Sequence, residues 1–508
     1  MRVVRDLTAL PAAVEAASAE ALSAFGDGTV FVERFVEHGR HVEVQVVGDI
    51  EGVVVLGDRD CSVQRRHQKI VEEAPSPAVD AELRERMGAA AVEAARTVGY
   101  VGAGTVEFLL GPDGTFWFLE MNTRLQVEHP VTEAVTGLDL VRLQLLVAAG
   151  QPLPAEATRA QLRGHAVEAR LYAEDPTAGF LPQTGVVHRF EVPGVGGGAG
   201  GWGVRVDAGV ADGSVVGVHY DPLLAKVVAH APSRAEAAGL LAAALAGARL
   251  HGVATNRDLL VGVLRHPGFL AGETDTGFLE RHPPAELAWH PTPEAERVHA
   301  AVAALAAQAA RRAAATVQPT IPSGWRNNPS QLQRVDYRGD GGALAVGYRF
   351  GRAGALESLE VDGEPLPGAR LWGAHPADPA TWLVDLEVAG VRRRFEVHLV
   401  GDLHFVDGPL GHAELRELPR FPEPDAGAAA ARTQGSLASP LPGIVRRVAV
   451  RPGEPVAAGA LLVVVEAMKL EHRIGAPTAG HVREVLVAEG QEVEAGTPVA
   501  VLEEAEDG

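Results

Sequence analysis

Apolar residues recur at helical spacing over residues 8–24, a stretch rich in alanine and glutamate with a sparse apolar stripe. Between 29 and 56 the period changes. FVERFV, HVEVQVVGD and GVVVLGD read as three strands. A second helix is predicted near 80–98. Two further strands, 103–110 and 115–122, flank Gly111-Pro112-Asp113-Gly114, whose turn chemistry predicts a hairpin. Residues 164–272 mix strand and helix patterns, with a helix near 233–248. The Ala-rich stretch 293–316 is helical, but Gln308, Arg311 and Arg312 interrupt it too much for a membrane span. From Ser323 to about Pro419, short strands alternate with Gly and Pro turns, as in a separate β-rich domain. Residues 421–439, rich in Pro, Ala and Gly, have little to bury and read as a mobile linker.

The last segment repeats itself. GIVRRVAVRPGEPVAAGALLVVVE at 443–466 and GHVREVLVAEGQEVEAGTPVAVLE at 480–503 match at a constant offset of 37 residues. Gly443 pairs with Gly480, Val445 with Val482, Gly453 with Gly490, Val456 with Val493 and Gly459 with Gly496. Two strand-rich copies with glycines at matched turns predict a small β-sandwich with internal two-fold symmetry. Lys469 then falls on an exposed hairpin between the halves. A mobile linker ahead of a domain carrying one singular lysine suggests that the domain travels between sites.

At 508 residues the chain holds several domains. A net charge of −21 without a strongly basic block argues against a nucleic-acid partner. Cys61 is the only cysteine, so no intrachain disulfide forms; this fits a reducing compartment. No apolar run approaches the roughly 20 residues that span a bilayer. The N-terminus lacks a signal-peptide core. A cytoplasmic protein that is not membrane-bound is expected.

The segment Glu120-Met121-Asn122-Thr123-Arg124-Leu125-Gln126-Val127-Glu128 places polar or charged groups at every second position. As an extended strand it would turn all five to one side, with Leu119, Met121, Leu125 and Val127 on the other. A hairpin would bring Glu107 close to Glu120. Glu107, Glu120 and Asn122 are hard oxygen ligands that suit Mg²⁺ shared with nucleotide phosphates and match zinc poorly. Arg124 can hold a small planar oxyanion through two hydrogen bonds. Glu128 can serve as a general base.

GTVEF, EMNTRLQVEHP, RDCSVQRRHQKIVEEAP and RGHAVEARLYAEDP, in this order and spacing, closely resemble biotin carboxylase, an ATP-grasp enzyme. The Ala-Met before Lys469 resembles the biotin carboxyl carrier domain, although Leu470 stands where that family more often has Met. Lipoyl domains share this fold but usually carry Asp before the lysine. The resemblance implies an α+β multidomain fold. A partial ATP-grasp domain is expected at 1–160 and a biotin carboxylase C-terminal domain at 161–285. A helical connector (286–322), a β-rich linking domain (323–420), the flexible linker (421–439) and a biotinyl/lipoyl-type β-sandwich (440–504) follow. It implies biotin on Lys469. Glu33, Arg34, Phe35 and Val36 would form the hinge strand at the adenine, with Arg34 where the family often has Lys. His41 and His67 would lie near the ribose and phosphates. Glu107, Glu120 and Asn122 would hold Mg²⁺, with Mn²⁺ as an alternative. Lys69, Arg124, Gln126 and the Val127 backbone would hold bicarbonate. Glu128 would deprotonate it, and Arg170 would stabilise the biotin enolate. Cys61 is expected to be a packing residue.

The implied activity is ATP- and bicarbonate-dependent carboxylation of biotin, feeding a carboxyltransferase beta subunit that acts on acetyl-, propionyl- or 3-methylcrotonyl-CoA. Biotin protein ligase would be a second partner, and an oligomer is expected. The family also has an N-terminal domain and a Gly-rich phosphate loop upstream of the sequence that Met1-Arg2-Val3-Val4 resembles. Met1 is therefore expected to be an internal methionine of a longer protein, and the alternative reading is a truncated chain serving only as biotin carrier. A different ATP-grasp ligase is a third reading, which the carrier segment opposes.

Overall fold

The computed structural model describes residues 2–197, 201–317, 321, 324–328, 330–351, 354–421, 436–468 and 470–504. The chain forms two compact units. One is Met1–Glu168 with Pro232–Arg234 and Ala271–Arg281. The other is Ala169–Ala231 with Ala235–Leu270 and His282–Gly508.

In the first unit, α1 (Leu10–Phe25) is followed by β1 (Arg40–Gly48), β2 (Val53–Arg65), β3 (Gln68–Ala74), α2 (Ala81–Thr97), β4 (Gly102–Leu110) and β5 (Phe116–Asn122). The strands lie side by side as β3-β2-β1-β4-β5, every neighbouring pair antiparallel. Alternation along β1 sorts its two faces. Val42, Val44 and Val46 join Leu83, Met87 and Ala91 of α2 in an apolar core with Val106 and Phe108 of β4. Glu43 and Gln45 sit between those valines, yet they too are buried, at 0% and 1% exposure. α2 starts where the Asp80 carboxylate accepts from the Leu83 amide at 2.8 Å. The expected hairpin forms: the Gly114 N–H donates to Gly111 O, and Gly114 takes φ +75°, a conformation glycine adopts without strain. FVERFV does not form a strand. Residues 31–36 have no ladder partner, and Phe31, Val32 and Phe35 are 82%, 69% and 55% exposed. Strand propensity alone, without a neighbour to pack on, does not make a strand.

In the second unit, nine antiparallel strands between 333 and 417 run from an edge at Glu364–Pro365 to an edge at Arg370–Pro376. They pack against the Ala-rich helix, α3 (Pro293–Ala313), which begins at a Thr292 cap. The residues expected to form a connector thus fill the middle of the β-rich domain. Ala300 to Leu305 are fully buried among Tyr337, Val346, Val384, Phe395 and Val397. Alanines keep the helix thin enough for strands to approach it closely.

His299 lies in this core at 0% exposure, with neither ring nitrogen hydrogen-bonded to a described residue. Burial pulls its pKa down to about 4. The folded value lies below the unfolded value of about 6.5, so the unfolded chain takes up the proton first as pH falls. The stability His299 contributes is therefore full above pH about 6.5 and is lost progressively toward pH 4. We expect urea unfolding of this domain to lose about 2 kcal/mol between pH about 7 and about 5 from this group. His299→Leu should flatten that slope; an unchanged slope would sink the assignment.

The repeated C-terminal segment is two four-stranded sheets. One has the order Ser436–Ala438, Pro498–Glu504, Gly480–Val485, Pro455–Val456. The other has Leu470–Gly475, Leu461–Ala467, Gly443–Val448, Glu492–Val493. The repeat is expressed as an exchange. The first strand of each copy pairs with the short strand of the other copy: Gly443 faces Val493, and Gly480 faces Val456. Val445, Val463, Val465, Val482 and Val499 fill the space between the sheets.

Candidate active site

The polar face of the first unit's sheet gathers its buried charged groups. Its centre is Arg59 on β2, fully buried. Its Nε donates to Glu43 Oε1 at 2.5 Å. One Nη donates to Gln45 Oε1 (2.6 Å) and Thr132 Oγ1 (2.9 Å). The other donates to Thr105 Oγ1 (3.2 Å) and Gln126 Oε1 (2.8 Å). All five N–H donors of the guanidinium are used.

Above this lies Lys69 on β3. Its Nζ donates to Glu43 Oε2 at 2.7 Å, Glu107 Oε1 at 3.0 Å and Glu128 Oε1 at 2.7 Å. Burial works against the ammonium, but Glu43, Glu128 and Glu107 together hold its pKa well above the ordinary lysine value. Burial likewise pushes Glu43 up, yet Arg59 and Lys69 pull it down to about 2. Glu107 is also raised by burial and more strongly lowered by His41 and Lys69, ending well below the usual carboxylate range. His41 Nε2 lies 2.8 Å from Glu107 Oε2, and His41 Nδ1 is 3.0 Å from Gln64 Nε2. Cys61 is fully buried, and burial raises its thiol well above the usual value, keeping it neutral.

The β4–β5 register sets Glu107 opposite Glu120. Asn122 joins the group: its Nδ2 donates to Glu107 Oε1 at 3.0 Å and to Glu120 Oε1 at 3.1 Å. Glu107 and Glu120 offer carboxylate oxygens that suit a hard divalent cation such as Mg²⁺, and the Asn122 oxygen would join them only with its amide turned over.

The segment from Glu120 to Glu128 departs from the expected continuous strand. β5 stops at Asn122, residues 127–128 turn, and a helix, His129–Thr136, begins with Pro130 in its first turn. Proline fixes the backbone for a helix start and gives no N–H to a ladder, so the extended run ends before it. The polar groups still converge, by the turn rather than by the pleat. Gln126 and Glu128 are 4% and 2% exposed. Gln126 Nε2 donates to Glu107 Oε1 at 2.7 Å while its carbonyl accepts from Arg59, which fixes the amide at both ends. Arg124 is exposed, and Val127 is half-buried. Leu119, expected on a buried face, is 46% exposed.

The other expected site residues fall elsewhere. Glu33, Arg34 and Phe35 are exposed and Val36 half-buried in the non-strand segment; the Arg34 guanidinium lies 5.3 Å from the Trp117 ring centroid. His67 is exposed on the β2–β3 turn at φ +64°. Arg170, half-buried, lies on the strand His165–Tyr172 of the chain, where Asn256 Nδ2 donates to its carbonyl at 3.0 Å. Lys469 lies outside the described residues. On either side of it, Ala467 and Leu470 face each other in an antiparallel ladder.

Sequence reasoning missed Glu43, Gln45 and Arg59. For Glu43 and Gln45 the signal was present in HVEVQVV, where polar residues alternate with valines in a strand otherwise suited to full burial; Arg59 lies on the next strand, outside that pattern.

The chain matches the ATP-binding domain of the carbamoyl-phosphate synthase L chain over residues 1–156 and the biotin carboxylase C-terminal domain over 168–281. It matches the BT domain of the methylcrotonyl-CoA carboxylase alpha subunit over 295–420 and the biotin-requiring enzyme family over 436–502. Mitochondrial methylcrotonoyl-CoA carboxylase subunit alpha of Mus musculus is 37% identical over 484 residues, covering 93% of this chain and 66% of the relative. The Dictyostelium discoideum subunit is 37% identical, covering 93% of this chain and 68% of its own length. The propionyl-CoA carboxylase alpha chain of Ruegeria pomeroyi is 36% identical, covering 89% and 68%. The chain thus spans about two thirds of the length of these relatives. Among solved structures, the biotin carboxylase domain of a thermophilic 2-oxoglutarate carboxylase bound to bicarbonate superposes with TM-score 0.54 at 40% identity, covering 57% of this chain and 64% of that one. The corresponding Hydrogenobacter thermophilus domain, in complex with MgADP and bicarbonate, gives 0.53 at 40% identity, covering 57% and 62%. Among the described residues no helix is long and apolar enough to cross a membrane. The chain belongs to the family of biotin-containing alpha subunits of acyl-CoA carboxylases.

Proposed function

We propose that this chain carries out the ATP- and bicarbonate-dependent carboxylation of biotin attached to Lys469, for delivery to a carboxyltransferase partner acting on a short-chain acyl-CoA. The observation that carries this reading is Lys69 seated among Glu43, Glu107 and Glu128, in a chain that also bears the biotin-type repeat.

Bicarbonate is anionic and resonance-stabilised, so a ureido nitrogen cannot attack it directly. Lys69, Arg124, Gln126 and the Val127 backbone hold it. Glu128 takes its proton, freeing an oxygen to attack the γ-phosphorus of ATP. An O–P bond forms, the bond to the β-phosphate oxygen breaks, and ADP leaves. Lys69 and Arg124 offset the charge that develops in this step. Glu107, Glu120 and Asn122 would hold Mg²⁺, which supplies positive charge to the nucleotide phosphates. His41, fixed between Glu107 and Gln64, would stand beside the nucleotide, with His67 and residues 33–36 reaching it from the flanking segments. Arg170 would steady negative charge on the biotin ring. Biotin protein ligase would load Lys469. The single buried cysteine fits work in a reducing compartment such as the cytoplasm.

The test is to coexpress the chain with a biotin ligase, confirm biotin on Lys469 by intact mass, and measure ADP release with and without bicarbonate. Bicarbonate-stimulated release is expected. Biotin attachment without bicarbonate-stimulated release would leave only the carrier role.

A further inference from the structure

The turn beside Lys469 is covered. Met468 sits at the tip between Leu461–Ala467 and Leu470–Gly475, a place where side chains ordinarily meet solvent. Its exposure is nonetheless 3%. Its backbone is left-handed, at φ +49°. Its N–H donates to the carbonyl of Val218 at 2.8 Å. Val218 is itself only 9% exposed, in the turn between Val215–Val216 and Leu223–Ala231. A second contact accompanies this one: Leu181 packs against the carrier's apolar core. Leu181 and Val218 both fall within the segment matching the biotin carboxylase C-terminal domain, which also contains Arg170.

We propose that Leu181 and the Val218 carbonyl form a docking seat on the carboxylase C-terminal domain for this chain's own carrier, engaged in cis at the residue preceding the biotin-bearing lysine. This rests on the reading of residues 436–502 as a biotin carrier. The seat reads backbone at the tip and an apolar surface on the body, so it demands no charge complementarity. Among the described residues, a hydrogen bond and an apolar contact make the seat shallow. A carrier that must leave for a second site needs such a seat, and the covalent connection supplies the local concentration that a shallow seat lacks. Because Lys469 follows Met468 directly, docking fixes the attachment point within one residue of the seat.

Hydrogen exchange in the full-length biotinylated chain tests this. The Met468 amide, whose partner is in the other domain, should be protected. Leu181→Asp should speed its exchange by roughly tenfold or more. The amides of Leu462, Val463 and Val465, in the carrier's own ladder, should keep their wild-type rates. Leu181→Gln serves the same purpose if the aspartate disturbs the carboxylase domain. Met468 protection that is unchanged in a folded Leu181 variant would overturn the seat. Protection that falls on dilution would assign the seat to a second copy of the chain and overturn the cis assignment. Intact mass on the same sample reports biotin separately. Protection without biotin would sink the carrier reading and leave the docking contact standing.

Discussion

Replacing Arg59 with methionine should destabilise the first unit by about 3–5 kcal/mol, because it takes from a buried carboxylate one of its two counter-charges and leaves four buried acceptors unpaired. Glu43 is fully buried and faces Arg59 at 2.5 Å, with Lys69 as its other cation. The same substitution strands Gln45, Thr105, Thr132 and Gln126, each of which accepts from the guanidinium. Those groups were hydrogen-bonded to water before folding, and each left unpaired in the interior adds desolvation cost. Urea unfolding followed by a probe in this unit measures the loss. The double variant Arg59→Met with Glu43→Gln removes the carboxylate that has lost one of its two cations and should recover part of the loss. If the single variant unfolds at the wild-type urea concentration, Arg59 is not the keystone of this face.

Lys69→Gln should lower bicarbonate-dependent ADP release by at least about a hundredfold, with the fold retained. Arg59 still neutralises Glu43 in this variant, so the scaffold persists. What changes is the site's charge. Glu43, Glu107 and Glu128 would face one another across less than two hydrogen-bond lengths with no cation between them. With Glu43 still neutralised by Arg59, the uncompensated charge falls on Glu107 and Glu128, the proposed metal ligand and base. Lys69→Arg should not rescue, since a planar fork cannot stand at one point among three carboxylates as an ammonium does. Turnover near wild type in a folded Lys69→Gln chain would remove Lys69 from the proposed bicarbonate site.

Much of this site could be read from residue order alone, because the reading depended on local rules. Gly111-Pro112-Asp113-Gly114 specified a hairpin, and the hairpin set Glu107 against Glu120. The constant offset of 37 residues specified a symmetric sandwich. Two things lay beyond local rules. Period-two alternation in Glu120–Glu128 fitted a strand and equally a strand followed by a turn, and only Pro130 hinted at the difference. The network around Arg59 joins residues from β1, β2, β4 and the turn before the helix His129–Thr136. No window of neighbouring residues contains it. The helix Pro293–Ala313 shows the same limit. Its alanines predicted a helix, but only the nine strands packed on it explain why they are alanines.

The exchange of strands in the carrier has a consequence for synthesis. The ribosome releases Gly443–Val448 and the turn at Met468 well before Glu492–Val493, the strand that completes the first copy's sheet. The first copy in turn lends Pro455–Val456 to a strand not yet made. Neither half can close by itself while the chain is growing. An enzyme that recognises the finished turn therefore finds its substrate only after the second half has emerged. The biotin proposed for Lys469 would then mark molecules whose second copy has been completed, and a ribosome stalled between the two copies would yield nothing to label.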